Sequence, residues 1–132
     1  MVNFAYKIKF MKKILFIEDE STLQKTLGTV LTKEGYQVVS ALDGEIGFRM
    51  AKKEKPDLIL LDLILPKMNG FDVLKSIKAE ETIKEIPIIV LTNLESMEDI
   101  QKALDLGAAT YLVKANYSLE EVLEKINKTI NV

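Results

Sequence analysis

Short apolar runs alternate along this chain with longer stretches in which apolar residues return every three or four positions, a pattern that predicts strands followed by helices. Ile14-Leu15-Phe16-Ile17, entered from Met11-Lys12-Lys13, reads as a buried strand running into the acidic cluster Glu18-Asp19-Glu20. Ser21 with Gln24 three residues on has the form of a capping box, and Leu23, Leu27, Val30 and Leu31 keep helical spacing until Gly35 stops the helix. Residues 36–41, with Val38 and Val39, suit a second strand. Residues 44–54 suit a helix that offers Ile46, Phe48, Met50 and Ala51 for packing and ends before Pro56.

Leu58-Ile59-Leu60-Leu61, bounded by Asp57 and Asp62, is the clearest strand, because a parallel strand covered on both faces carries a continuous apolar run. A loop with Pro66 and Asn69-Gly70 leads to a third helix carrying Phe71, Val73, Leu74 and Ile77. Residues 88–92 form a fourth strand after Pro87, residues 96–106 a fourth helix ended by Gly107, and residues 109–113 a fifth strand that delivers Lys114. Ser118 and Glu121 make a second capping box, opening a last helix whose inner stripe is Leu119, Val122, Leu123, Ile126 and Ile130. Five strand-then-helix units in a row predict a doubly wound α/β domain, since each parallel crossover needs a helix-length connection.

The length of 132 residues fits one domain, and 48% apolar with 29% charged residues is ordinary for a globular one. Eighteen basic against twenty acidic residues argue against a broad cationic face for nucleic acid. With no cysteine and no histidine, the chain excludes thiolate and Ser-His-Asp chemistry and His or Cys metal ligation. Any metal is then held by oxygen, which favours a hard cation. The continuous apolar runs, Leu58 to Leu61 among them, are strand-sized, and Lys7 and Lys9 interrupt residues 1–10, so no membrane association and a cytoplasmic location are expected.

In open α/β sheets the working site lies beyond the carboxyl ends of the strands. Those ends carry Glu18 and Asp19, Asp62, Thr92 and Lys114. Two like charges 4 Å apart repel by roughly 4 kcal/mol at an effective dielectric near 20, so carboxylates gathered there call for a cation such as Mg²⁺. A carboxylate can then act as a nucleophile toward phosphorus, with the Thr92 hydroxyl and the Lys114 ammonium available to the new anion. Each residue also has a plainer reading: a solvated turn for Glu18-Asp19-Glu20, an ordinary strand end for Thr92 and Lys114, packing for Tyr111, and core filling for Met50, Met68 and Met97. Asp57 opens its strand at the opposite sheet edge and reads as a surface residue.

Ile14-Leu15-Phe16-Ile17-Glu18-Asp19-Glu20, Pro56 through Asp62 with Pro66 and Gly70, Val90-Leu91-Thr92 and Tyr111-Leu112-Val113-Lys114 together resemble the receiver domain of bacterial two-component response regulators, in a single-domain, chemotaxis-regulator-like form. The resemblance runs from about Lys12 to the end, so residues 11–132 are expected to be the receiver domain and residues 1–10 an N-terminal extension outside its core. It implies a flavodoxin-like five-stranded parallel sheet in the order 2-1-3-4-5 with five helices. It further implies that Asp62 is the phosphoacceptor and that Asp19 and Asp62 bind Mg²⁺ directly. Glu18 would act through water, the Ile64 backbone carbonyl would complete the ligands, Thr92 and Tyr111 would form a switch pair, and Lys114 would contact the phosphoryl group. The implied role is a phosphorylation-dependent switch of a two-component or phosphorelay system, which assists its own phosphorylation and dephosphorylation but is not an enzyme. A histidine kinase or histidine phosphotransfer protein would be the donor and a downstream protein the target. Direct nucleic-acid binding is not expected, and the chain is expected to be a monomer or a phosphorylation-dependent dimer.

Several positions depart from that pattern. Ala115 stands where most receivers carry a cis proline, which predicts a trans peptide there, because a non-proline cis bond costs about 2.5–4 kcal/mol. Glu18 replaces the commoner Asp, a tolerable change for a contact through water. Asn93 is bulkier than the usual small residue and Ile64 offers no polar group to orient water, so slow self-dephosphorylation is expected. Residues 1–10 allow either an upstream start or tail, or a segment packed on a sheet edge or a second copy, since Val2, Phe4, Tyr6, Ile8 and Phe10 alternate. The rival functions are a degenerate receiver acting as a constitutive interaction module, a small phosphohydrolase, which usually has a second acid where this chain has Ile64, and a flavodoxin-like electron carrier, which lacks its phosphate-cradling loop here.

Overall fold

Strands and helices follow one another in the predicted order in the computed structural model, which describes residues 11–131. The elements are β1 (Lys13–Ile17), α1 (Ser21–Lys33), β2 (Gln37–Ala41), α2 (Gly44–Glu54), β3 (Leu58–Leu61), α3 (Gly70–Ala79), β4 (Ile88–Thr92), α4 (Met97–Asp105), β5 (Thr110–Val113) and α5 (Leu119–Ile130). A single 3-10 turn, Lys114–Asn116, separates β5 from α5. The strands form one parallel sheet in the order β2-β1-β3-β4-β5, the flavodoxin-like order expected. Residues 1–10, expected to be an extension outside the core, lie outside the described residues.

Alternation along the strands builds two cores. Leu15, Ile17, Ile59, Leu61 and Val90 face α2, α3 and α4, where Ala51, Val73, Leu74, Ile77 and Ala103 meet them. Ile14, Phe16, Leu58, Leu60 and Ile89 face the opposite way, against Leu27 and Leu31 of α1 and Val122 and Ile126 of α5. Burial of both faces explains why β1, β3 and β4 are apolar at nearly every position.

Helix ends follow the predicted chemistry in most places. Gly35 and Gly107 take positive φ after α1 and α4, Ser96 caps α4 by accepting from the Asp99 N–H, and Ser118 with Glu121 forms a reciprocal capping box on α5. The Ser21 and Gln24 box does not form. Glu20 is the N-cap of α1 without a side-chain bond, and Gln24 turns inward to the sheet. Ile46, expected to pack, is instead turned out, because α2 approaches β1 through small residues: a Cβ added at Gly47 would lie 2.7 Å from Ile17. Met50 and Met68 pack on the core as expected, whereas Met97, in the first turn of α4, is 79% exposed and fills nothing.

Candidate functional site

Strand order places the site. The chain leaves β1 for β2 on one side and returns to β3 on the other, so the crevice lies where β1 and β3 end side by side. Ile17 is in register with Leu61, and the Asp62 N–H donates to the Ile17 carbonyl at 3.0 Å. Glu18 and Asp62 therefore leave the sheet together. Carboxylate oxygens of Glu18, Asp19 and Asp62 all lie within 4.8 Å of one another, so the residues expected to share a cation do converge. Asp57 sits at the far edge, exposed, and accepts from the Lys13 N–H at 2.7 Å.

Lys114 enters from the end of β5. Its Nζ lies 3.0 Å from Asp62 Oδ2, 2.7 Å from Glu18 Oε1 and 3.8 Å from Glu20 Oε2. Glu18 Oε1 has no partner at hydrogen-bonding angles despite the 2.7 Å contact, so that pair is held by charge. Burial pushes the Glu18 carboxyl up to about 7, against the opposing pull of Lys114 and of the Glu20 N–H, which donates to Oε2 at 3.0 Å. Burial lowers Lys114, but its contacts with Glu18 and Asp62 outweigh that and hold it above its ordinary value.

One ammonium against several carboxylates leaves the crevice short of positive charge, and its donors are all oxygens, which suits a hard divalent cation. Thr92 ends β4 with a fully buried hydroxyl that has no hydrogen-bond partner. An unpaired buried hydroxyl is costly, and a ligand oxygen in the crevice would satisfy it. Asp62 Oδ1 accepts from the Ile64 N–H at 3.1 Å, while the Ile64 side chain is 52% exposed. Tyr111 is half-buried on β5 and donates to the Leu94 carbonyl at 2.7 Å; burial, then the charges of Asp99 and Asp62, push its hydroxyl up to about 12. All described peptides are trans, that between Lys114 and Ala115 included. Beside Lys114 a cleft of about 520 Å³ opens, lined in part by Glu20, Leu23, Asn93, Tyr117 and Val122.

Sequence reasoning missed Gln24. Its side-chain amide donates to the carbonyls of Phe16, Glu18 and Ala41 at 2.9, 3.1 and 3.2 Å, beneath the acidic cluster. The signal was its position: 24, 27 and 31 share one helical face, and Leu27 and Leu31 are core.

Known proteins resemble this chain over most of its length. The chain is 37% identical over 116 residues to the "DNA-binding dual master transcriptional regulator RpaA" of Synechocystis sp., covering 88% of this chain and 48% of that protein. It is 38% identical over 115 residues to the "Alkaline phosphatase synthesis transcriptional regulatory protein PhoP" of Bacillus subtilis, covering 87% of this chain and 47% of that one. The chain thus spans about half the length of these curated relatives. One of them is named as DNA-binding, so the expectation of no nucleic-acid partner draws no support from them. Among the described residues no helix is long and apolar enough to cross a membrane. The receiver domain of the sensor histidine kinase PA1611 from Pseudomonas aeruginosa, solved with a magnesium ion coordinated in its active-site cleft, superposes with a TM-score of 0.84 at 30% identity, covering 92% of this chain and 99% of that domain. With residues 14–127 matching the family model described as "Response regulator receiver domain", the chain belongs to the response regulator receiver family of two-component signalling.

Proposed function

We propose that residues 11–132 form a phosphorylation-dependent switch that accepts a phosphoryl group on Asp62 and signals through the surface of α4, β5 and α5. The observation that carries this reading is the meeting of Glu18, Asp19 and Asp62 within 4.8 Å, with Lys114 Nζ 3.0 Å from the Asp62 carboxylate. Asp19 and Asp62 would hold Mg²⁺ directly, Glu18 through water, with the Ile64 carbonyl as a further ligand. When bound, the ion supplies positive charge that neutralises the phosphoryl oxygens during transfer.

The chain's own groups do the rest. An Asp62 carboxylate oxygen forms the new O–P bond as the N–P bond of a donor phosphohistidine breaks, and the freed imidazole takes up a proton. Asp62 Oδ1 is steadied by the Ile64 N–H, and Lys114 balances charge at Oδ2. The unpaired Thr92 hydroxyl would donate to the phosphoryl group. Its movement draws on residues 93–96, where the Leu94 carbonyl holds the Tyr111 hydroxyl, so the strain reaches β5 and the start of α4. A histidine kinase or phosphotransfer protein as donor, a downstream protein as target, a cytoplasmic location and a monomer or phosphorylation-dependent dimer complete the reading.

Asp62→Asn should abolish Mg²⁺-dependent phosphorylation by acetyl phosphate, read by intact mass; unchanged incorporation would move the acceptor elsewhere. Failure of the unsubstituted chain to bind Mg²⁺ or beryllofluoride would instead favour a constitutive interaction module.

A further inference from the structure

Gln24 is a polar residue on the apolar face of α1, nine-tenths buried between Leu23 and Leu27 and the end of the sheet. Its Nε2 has three carbonyl neighbours, Phe16 at 2.9 Å, Glu18 at 3.1 Å and Ala41 at 3.2 Å, so two N–H groups serve three acceptors. Because every neighbour is an acceptor, the orientation of the amide is fixed by chemistry. Those carbonyls belong to the last residue but one of β1, the last residue of β2 and the turn that follows β1.

Further bonds close the arrangement. The Glu18 N–H donates to the Ala41 carbonyl, the Glu20 N–H to Glu18 Oε2, and the Gln24 N–H to the Glu20 carbonyl, each at 3.0 Å. The backbone on both sides of Asp19 is thus tied to one residue, by its main chain at Glu20 and its side chain at Glu18. Gln24 Oε1, however, is buried without a partner. A methionine would fill the same space without the orphaned oxygen but would take a donor from those three carbonyls, so it is the amide N–H groups, and the turn they tie down, that account for a glutamine here. We infer that Gln24 is a positioning residue that holds the β1–α1 turn so that Glu18 and Asp19 present their carboxylates beside Asp62, an inference that rests on the site reading above.

Gln24→Met tests it. In Mg²⁺-free protein, amide exchange should accelerate at Glu18 and Glu20 while the β3 and β4 amides keep their protection. The Mg²⁺ concentration at half-saturation, measured by calorimetry, should rise about tenfold, as is usual when a group orienting metal ligands is lost. Saturating Mg²⁺ should restore the full extent of Asp62 phosphorylation. Tyr36→Phe, which removes the Tyr36–Asn127 hydrogen bond, is the control for lost stability and should leave half-saturation unchanged. Should Gln24→Met not fold, the side-chain amide protons of Gln24 in the unsubstituted chain should still exchange slowly and shift when Mg²⁺ is added; rapid exchange with no shift overturns the inference. Unchanged half-saturation in folded Gln24→Met overturns it too, whereas absence of Mg²⁺ binding in the unsubstituted chain overturns the site reading beneath it.

Discussion

Lys114 Nζ lies 2.7 Å from the carboxylate of Glu18, which has no solvent exposure at all. The same ammonium serves Asp62 at 3.0 Å, so among the described residues it is the cation that pairs with both buried acids. Removing one partner of a buried ion pair leaves an uncompensated charge, a loss of about 3 kcal/mol at a pH where Glu18 is ionised. Lys114→Met should therefore lower stability by roughly that amount in chelator, and markedly less with saturating Mg²⁺, which replaces the lost charge. Urea denaturation under both conditions checks this; equal losses with and without Mg²⁺ would separate Lys114 from the cation site.

Glu18 also predicts how stability follows pH. Burial raises its carboxyl from 4.5 to about 7, so across that interval the folded chain keeps a proton that the unfolded chain has released. Stability from this group is complete below pH 4.5 and is lost as pH rises through about 7. The metal-free protein should accordingly lose on the order of 3 kcal/mol between about pH 5 and pH 8, and Glu18→Gln should flatten that profile. Mg²⁺ competes with the same proton, so its affinity should rise over the same interval. Urea midpoints across the pH series decide it, and a flat profile in the unsubstituted chain would contradict the assignment.

The β3–α3 loop, which carries Ile64, is braced against α2. The Gly44 N–H donates to the Pro66 carbonyl at 3.2 Å, and a Cβ added at Gly44 would lie 1.8 Å from the Met68 carbonyl oxygen. Gly44→Ala must push the loop away, at a cost of about 3 kcal/mol by the usual scale of overpacking. Phosphorylation of Asp62 should slow along with the loss of stability. By contrast, Gly28→Ala, where an added Cβ meets nothing within 4 Å, should be tolerated in both assays.

Much of this was legible in the sequence because the informative residues follow continuous apolar runs. Asp62 after Leu61 and Glu18 after Ile17 could only be strand-end acids. Their juxtaposition could not be read, because it depends on Ile17 pairing with Leu61 across a long separation in sequence. Gln24 shows how local grammar can lose to tertiary demand. Its spacing from Ser21 fits a capping box, but three strand-end carbonyls in reach outweigh one exposed helix end. The 2.7 Å contact of Lys114 with Glu18 was hidden too, since it turns on the reach of two long side chains.

Ile64 and Asn93 set the expected lifetime of the phosphorylated state. Ile64 is 52% exposed two residues past Asp62, and its N–H is already committed to Asp62 Oδ1, so its side chain offers an attacking water neither acceptor nor donor. Asn93, next to Thr92, is exposed on the cleft beside Lys114 and adds bulk there. Hydrolysis of the acyl phosphate then depends on unassisted water, and the phosphoprotein should persist for minutes or longer at room temperature. Ile64→Gln supplies an amide that can orient water and should shorten the lifetime by about tenfold or more, less than the roughly 10²–10⁴-fold of a positioned acid or base because an amide orients water without taking its proton. Loss of phosphate followed by intact mass distinguishes the cases: decay within seconds in the unsubstituted chain, or no acceleration by Ile64→Gln, would mean that some other group already positions the water.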